Sequence, residues 1–381
     1  MATVKKRGDS YTALLWLPDP SKPKGRAQRR ITGRTKGEVE KECRRLLSEV
    51  DRNRYIVPSK ITVAEFFPQA LDIHIKTSPK GVRPQTENCY RLILSRHVLP
   101  HLGHYLVMEC KPALLESWLR HRQQSGAYGK PLSKAYIRAI AKVLNACFEV
   151  AVRQEVIASN PMNSVAKPSG SVKKVRAFSS KEVERLRRAW QESRLAPLFD
   201  LLLFSGMRQG EAKFLRWSHF DPQKNQVSIE GTAYENGATR WENAPKSFNG
   251  FRRVSLTSET GLRLKEWRKA QAQERLAAGP VWQGEDYIFT DEVGRPVKGF
   301  RIKREWHRVI NEAGLPDLTH LHGLRHTHAT DMLRSGVQPH IVARHLGDTV
   351  KTLLETYAHA IPQDEEKAVT TYERHIAAQS V

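Results

Sequence analysis

Cysteine is scarce in this chain. Cys43, Cys89, Cys110 and Cys147 are the only four in 381 residues, and none lies in the C-terminal half. Their spacing fits neither a metal-ligand motif nor a dense disulfide framework, which sets aside a small secreted scaffold and predicts buried thiols in a reducing cytoplasm. Long apolar runs are missing as well. The longest, Leu198 to Phe204, is short and interrupted by Asp200, so nothing spans a bilayer of ~30 Å. The first ten residues carry charge but no apolar stretch of the kind a signal peptide needs. Acidic residues are outnumbered, 40 Asp/Glu against 63 Lys/Arg, for a formal charge of +23. That imbalance points to a polyanionic partner, nucleic acid first, over the alternative of a merely soluble basic protein.

The basic excess begins early. Residues 1–60 hold 16 Lys/Arg and 7 Asp/Glu. Ser10 to Leu17 reads as a strand, a turn-rich stretch runs from Pro18 to near Gly25, and Ala27 to Thr32 returns as a second strand. A helix follows from Thr35, with Val39, Cys43, Leu46, Leu47 and Val50 on one face. A small sheet backed by one helix can lie in a DNA groove, and a solvated basic face fits the same residues. Pro58 to Ile61 reads as a linker, after which Thr62-Val63-Ala64-Glu65 has capping-box form. It opens a helical region reaching about Ile157, with four or five helices, the last starting at Ser133. A basic, aperiodic linker follows. Ser179-Ser180-Lys181-Glu182 opens a third region with a capping box. Helices are expected to about Trp217, strands at Gln226 to Ile229, Thr239 to Trp241 and Arg252 to Leu256, and helices again from Thr257. The predicted fold is multidomain and mainly α with small β-sheets, divided as 1–57, 61–164, a linker at 165–177, and 178–381.

Five side chains in the third region carry chemistry. Arg208 follows a Ser205-Gly206 break, with Glu211 three positions later; an arginine there can aim its planar donors at a phosphate while Glu211 fixes it. Lys246 stands just before Asn249-Gly250, a hairpin-turn signal, and could donate a proton to a leaving oxygen if neighbouring arginines lower its pKa. His320, His322, His326 and His328 surround Arg325. No Cys or acidic third ligand has a matching spacing, so two donors, His322 and Arg325, converging on one phosphate suit the pattern better than zinc. Tyr357 falls near the end of a helix predicted from Thr349. Its phenol is neutral at working pH and needs nearby positive charge or a base to attack. Singly, each residue is more simply a surface or packing residue. Jointly they equip a site to attack a phosphodiester without a metal: cations hold the non-bridging oxygens while a side-chain oxygen displaces the alcohol.

Arg208, Lys246, His322-x-x-Arg325 and Tyr357, in this order, resemble the tyrosine recombinase family, specifically phage-type integrases. The resemblance covers the whole chain in layout and is most specific in residues 178–360. It implies an arm-type DNA-binding domain at the N-terminus, a helical core-binding domain, and a mixed helical catalytic domain. It further implies that Arg208 and Arg325 grip the scissile phosphate, Lys246 is the general acid, His322 assists proton transfer or hydrogen-bonds the phosphate, Tyr357 is the nucleophile, and Glu211 is the acidic support. No cofactor or metal is implied. The partners implied are double-stranded DNA with core- and arm-type attachment sites, a homotetramer in the synaptic complex, and DNA-bending and excision proteins, all in the cytoplasm of a bacterial host. Residues 368–377 are expected to form a tail helix packing in cis or on a neighbour. Two rivals stay open: a type IB topoisomerase, and a DNA-binding regulator with a degenerate site. The latter draws on one departure, because the family usually has Leu-Gly-His ahead of its tyrosine and this chain has Leu346-Gly347-Asp348. A bare carboxylate ~4 Å from a phosphate costs roughly 4 kcal/mol at an effective dielectric of about 20. Asp348 is therefore expected to turn away or pair with a cation such as Arg344 or His345, leaving His345 or His359 to supply the missing hydrogen bond.

Overall fold

Local capping signals start many of the helices. The computed structural model describes the chain outside residues 1–2, 20–21, 53–54, 80, 127–129, 167–175, 238, 245–249, 317–319, 362–368, 371, 374–375 and 377–381. It divides into two units, Met1–Val172 and Lys173–Val381.

The first unit begins with an antiparallel sheet in the order β1 (Lys5–Arg7), β2 (Ser10–Pro18), β3 (Arg26–Gly33). Strand alternation sends Ala13, Leu15 and Leu17 inward and leaves Leu14 and Trp16 exposed. Register places Arg30 opposite Leu14 and Gln28 opposite Trp16 on that open face. Helix α1 (Lys36–Asp51) covers the other face with Val39, Cys43 and Leu46, and Thr35 and Glu38 cap it reciprocally. The three-residue β1 carries no apolar alternation, which is why the sequence pattern misses it.

The helices that follow are α2 (Val63–Thr77), α3 (Pro84–Ile93), α4 (Leu99–Leu102), α5 (Pro112–Ser125) and α6 (Lys134–Arg153). A wide turn at Leu94–Val98 joins α3 to α4. Thr62 and Glu65 cap α2 as expected, and Ser133 caps α6. Their core is continuous, with Phe67 and Phe148 meeting edge to face at 5.0 Å.

The second unit opens with α7 (Ser180–Trp190), capped by Ser179 and Glu182, then α8 (Ala196–Ser205) and α9 (Gln209–Phe214). Helix α8 is apolar nearly all round and is buried accordingly. Two small sheets come next. One has the order β4 (Phe220–Asp221), β5 (Gln226–Ile229), β8 (Arg252–Ser255), and the other is the hairpin of β6 (Thr232–Asn236) and β7 (Thr239–Asn243). Strand β8 pairs with β5, and β6 with β7; Asn249, in the turn signal Asn249-Gly250, lies outside the described residues. The remaining helices are α10 (Ser258–Ala278), α11 (Gly299–Glu312), α12 (Gly323–Arg334), α13 (Pro339–Leu346) and α14 (Val350–Tyr357). Trp190, Phe199 and Trp306 form the aromatic centre of the main core. A smaller core of Ala329, Leu333, Val342, Leu346, Leu353 and Tyr357 joins α12, α13 and α14. Among the described residues no helix is long and apolar enough to cross a membrane.

Candidate active site

Helix α8 ends in a left-handed residue, Gly206, at φ +62°. Any Cβ there would meet His328 Cδ2 and Leu346 Cδ2 at 2.6 Å, so both the backbone angle and the packing demand glycine. The turn frees the Gly206 carbonyl to accept a hydrogen bond from Arg325 Nη1 at 2.8 Å, and the Leu346 carbonyl, at the end of α13, accepts from Arg325 Nη2 at 3.0 Å. Arg325 stands in the first turn of α12 and is only 3% exposed. Burial and the neighbouring Arg208 guanidinium both push its pKa down.

Arg208 is the residue at which the chain turns into α9. Its backbone N–H donates to Glu211 Oε2 at 2.9 Å, and its Nη1 donates to Glu211 Oε1 at 3.0 Å. Glu211 is nearly buried, which raises its pKa, but hydrogen bonds and charge from Arg252, with Arg208 beyond, win and hold it below the usual carboxylate range. Arg252 donates from Nη2 to Glu211 Oε2 at 2.9 Å and from Nε to the His345 carbonyl at 2.8 Å. Strand β8 thus braces α9 and the end of α13 through one guanidinium. Nothing in the local pattern of β8 marks Arg252 for that role, since its partners lie 41 and 93 residues away.

Asp348 joins the two arginines. Its Oδ1 accepts from Arg208 Nη2 at 2.5 Å and its Oδ2 from Arg325 Nη2 at 2.5 Å. Asp348 thus pairs with cations, as one branch of the expectation had it, but they are Arg208 and Arg325 instead of Arg344 or His345, and it does not turn away. The left-handed Gly347 ends α13 and swings the next side chain toward the paired guanidinia, the strongest cationic partners within reach. His345 is also not free for a phosphate. Its Nε2 lies 3.1 Å from the Ser205 carbonyl and 3.1 Å from His328 Nε2, with the two rings stacked, and burial lowers its pKa. His359 is exposed in the turn after Tyr357.

Two further histidines complete the site. His322 precedes α12, and burial, then His326, Arg325 and Arg208, drive its pKa to about 4, so it is neutral near pH 7. The His326 ring meets it edge to face at 4.9 Å. Tyr357, 5% exposed, is the last residue of α14, which Thr349 caps at its start. Its hydroxyl lies 2.7 Å from His326 Nδ1. Burial raises the phenol to about 12, with the Asp348 charge adding to the rise and Arg325 and Arg208 opposing it. His326 was noted in the sequence only as one of a histidine cluster; its contact with Tyr357 comes from the packing of α14 on α12.

Lys246 lies outside the described residues. The β6–β7 hairpin that leads to it is held by ion pairs. Glu235 joins Lys213 at 2.8 Å and Arg240 at 3.1 Å, while Glu242 joins Arg240 at 2.8 Å and accepts from the Tyr287 hydroxyl at 2.7 Å. Arg208, Arg325, His322, Tyr357, Glu211 and Asp348 are therefore gathered around one point, and they can hold an anion beside a phenol without a metal ion.

Comparison with known proteins gives a consistent answer. The phage integrase family model matches residues 176–364. The XerC-like tyrosine recombinase of Caldanaerobacter subterraneus subsp. tengcongensis is 29% identical over 280 residues, covering 68% of this chain and 71% of that protein. The ICEBs1 integrase of Bacillus subtilis is 20% identical over 341 residues, covering 89% of this chain and 91% of that protein. Among solved structures, the Tn1549 transposon integrase in complex with a circular intermediate DNA aligns with a TM-score of 0.66 at 19% identity, over 82% of this chain and 99% of that one. A lambda integrase dimer bound to a core site aligns with a TM-score of 0.57 at 14% identity, over 92% and 93%. The order of the motifs, the fold and these likenesses agree: residues 176–364 are a domain of the phage integrase family, and the chain is a tyrosine recombinase, a DNA breaking and rejoining enzyme.

Proposed function

We propose that this integrase cuts and rejoins duplex DNA at specific sites through a 3′-phosphotyrosyl link, moving a phage or other mobile element into a chromosome and out of it again. The observation that carries the reading is the paired anion seat beside Tyr357. Arg208 and Arg325 hold two carboxylate oxygens, each at 2.5 Å. Two non-bridging oxygens of a phosphodiester present the same charge and the same acceptors. In this reading the scissile phosphate takes the place of the Asp348 carboxylate. The Tyr357 oxygen attacks phosphorus, the 5′ oxygen leaves, and Lys246 supplies the proton that the leaving alcohol needs. Neutral His322 hydrogen-bonds the phosphate, and Glu211 keeps Arg208 in place. A 5′-hydroxyl from the partner duplex then reverses the attack. The ester preserves the bond energy, so neither a nucleotide nor a metal is needed.

Residues 1–57 act as the arm-type DNA-binding domain, their open sheet face presenting Leu14, Trp16, Gln28 and Arg30 to a groove. Residues 61–164 bind the core site, and four protomers assemble on two duplexes. DNA-bending and excision proteins set the direction.

The test is trapping on a nicked core-site duplex. The wild type should form a covalent adduct, and Tyr357→Phe, which loses only the hydroxyl, should form none while binding DNA nearly as well. Cleavage by the variant comparable to wild type would remove Tyr357 as nucleophile. Joining of two different duplexes separates recombination from relaxation by a topoisomerase.

A further inference from the structure

Tyr357 has a difficulty that the arginines do not solve. A phenol raised to about 12 is almost wholly protonated near neutral pH, and attack on phosphorus requires that proton to go somewhere. Arg208 and Arg325 are cations and cannot take it. Asp348 hydrogen-bonds the two arginines and makes no hydrogen bond to the phenol. Among the described residues, the phenol touches one group able to accept a proton, His326, whose Nδ1 stands 2.7 Å from the hydroxyl oxygen.

We propose that His326 is a catalytic residue, the general base that removes the phenolic proton of Tyr357 during strand cleavage and returns it during rejoining. The inference rests on the reading of Tyr357 as nucleophile. In cleavage the Tyr357 O–H bond breaks and its proton moves to His326 Nδ1. The tyrosine oxygen forms its bond to phosphorus, and the bond from phosphorus to the 5′ oxygen breaks, with that oxygen protonated by the leaving-group acid. In rejoining, the incoming 5′-hydroxyl gives up its proton to that same acid, the phosphotyrosyl bond breaks, and the imidazolium of His326 hands its proton back to the phenol. Protons and charge balance over the cycle.

The surroundings suit the role. Neutral imidazole with its hydrogen on Nε2 offers Nδ1 as an acceptor. The groups facing His326 are Tyr357 from α14, His322 edge to face from the start of α12, and the charges of Arg325 and Asp348. Burial and then Arg325 lower its pKa, with Asp348 opposing, so the base is unprotonated at neutral pH. An arriving phosphate brings negative charge that stabilises the imidazolium as it forms. The position of His326 in the first turn of α12, one residue after the phosphate-gripping Arg325, ties base and anion seat to the same rigid element.

The test is single-turnover cleavage by His326→Asn, in which the amide oxygen stands near the place of Nδ1 and can accept the hydrogen bond but not the proton. Cleavage should fall by about 10²–10⁴-fold, the range of a lost general base, with DNA affinity and melting temperature held near wild type. In the wild type the rate should drop on acidification as His326 protonates; in the variant that acid limb should vanish and the rate should climb with rising pH. A substrate with sulfur in place of the 5′ bridging oxygen needs no leaving-group proton, so the defect of His326→Asn should persist on it. Wild-type cleavage by His326→Asn would reduce His326 to a spacer, and rescue on the sulfur substrate would make it the acid for the leaving group; either overturns the proposal. If instead Tyr357→Phe still forms the adduct, the underlying reading of the nucleophile is what fails.

Discussion

Removing Asp348 and removing Arg325 have different consequences, although the two side chains touch. On the proposed reading, Arg325→Ala deletes a buried donor to the transferring phosphoryl group, a loss of about 10²–10³ in rate by analogy with other single anion-stabilising donors. On the same reading Asp348→Ala deletes a carboxylate that the phosphate would replace, so single-turnover cleavage should fall far less, and Asp348→His should be tolerated. Equal losses for the two alanine variants would mean that Asp348 belongs to the chemistry. Arg252 acts on stability. Arg252→Met leaves the buried Glu211 carboxylate without its main partner, a loss of about 3–5 kcal/mol at pH 7. Glu211 has a lowered pKa in the folded protein, so its contribution is fully present above the ordinary carboxylate range and is lost as pH falls through the lowered value. The gap between wild type and Arg252→Met in denaturant unfolding should therefore narrow on acidification below the ordinary carboxylate range. A gap that stays constant would show that Arg252 matters through packing alone.

At the scale of elements, the turn from α8 into α9 organises the site. Gly206→Ala meets a left-handed backbone that costs about 1–2 kcal/mol for an L-residue, together with a clash against His328 and Leu346. The variant should melt lower and lose cleavage beyond its loss of stability, because the Gly206 carbonyl holds Arg325. A lower melting temperature with intact cleavage would separate the turn from the site. Elements set by local chemistry were legible in advance. Thr35, Thr62 and Ser179 each cap a helix because the glutamate three residues on reaches back to them, a signal contained in four residues. Partnerships across long intervals were not. The pairing of β8 with β5, the bracing of Glu211 by Arg252 and the meeting of Asp348 with an arginine 140 residues away all depend on how distant elements pack. The motif residues could be named because their order is characteristic. The base beside Tyr357 could not, since a contact between α12 and α14 leaves no spacing to read.

For the whole molecule, the proposed arm and core contacts differ in the charge that would serve them. The first 60 residues hold 16 Lys/Arg and 7 Asp/Glu, and their sheet has Trp16 58% exposed on its open face. Deleting residues 1–60 should weaken binding to distal arm sites and flatten its dependence on salt, because fewer phosphate contacts release fewer counterions. Cleavage of an isolated core site should survive, since every described residue of the site lies in Lys173–Val381. Equal arm-site binding by the truncated protein would refute the assignment of that module.

The Asp348 bridge also bears on how a protein of charge +23 behaves among cellular anions. Two adjacent guanidinium groups fit inorganic phosphate and free nucleotides as well as they fit a DNA backbone. A tethered carboxylate competes with each of them at an effective concentration in the millimolar range or above, without ever diffusing away. A small anion held only by these contacts is at a disadvantage in that exchange, whereas a phosphodiester anchored by the rest of a bound duplex is not. Inorganic phosphate should accordingly inhibit cleavage by Asp348→Ala at lower concentrations than it inhibits the wild type; equal sensitivity would show that the carboxylate guards nothing. Greater sensitivity of the variant would mark Asp348 as a built-in stopper, dislodged by a ligand that arrives already docked.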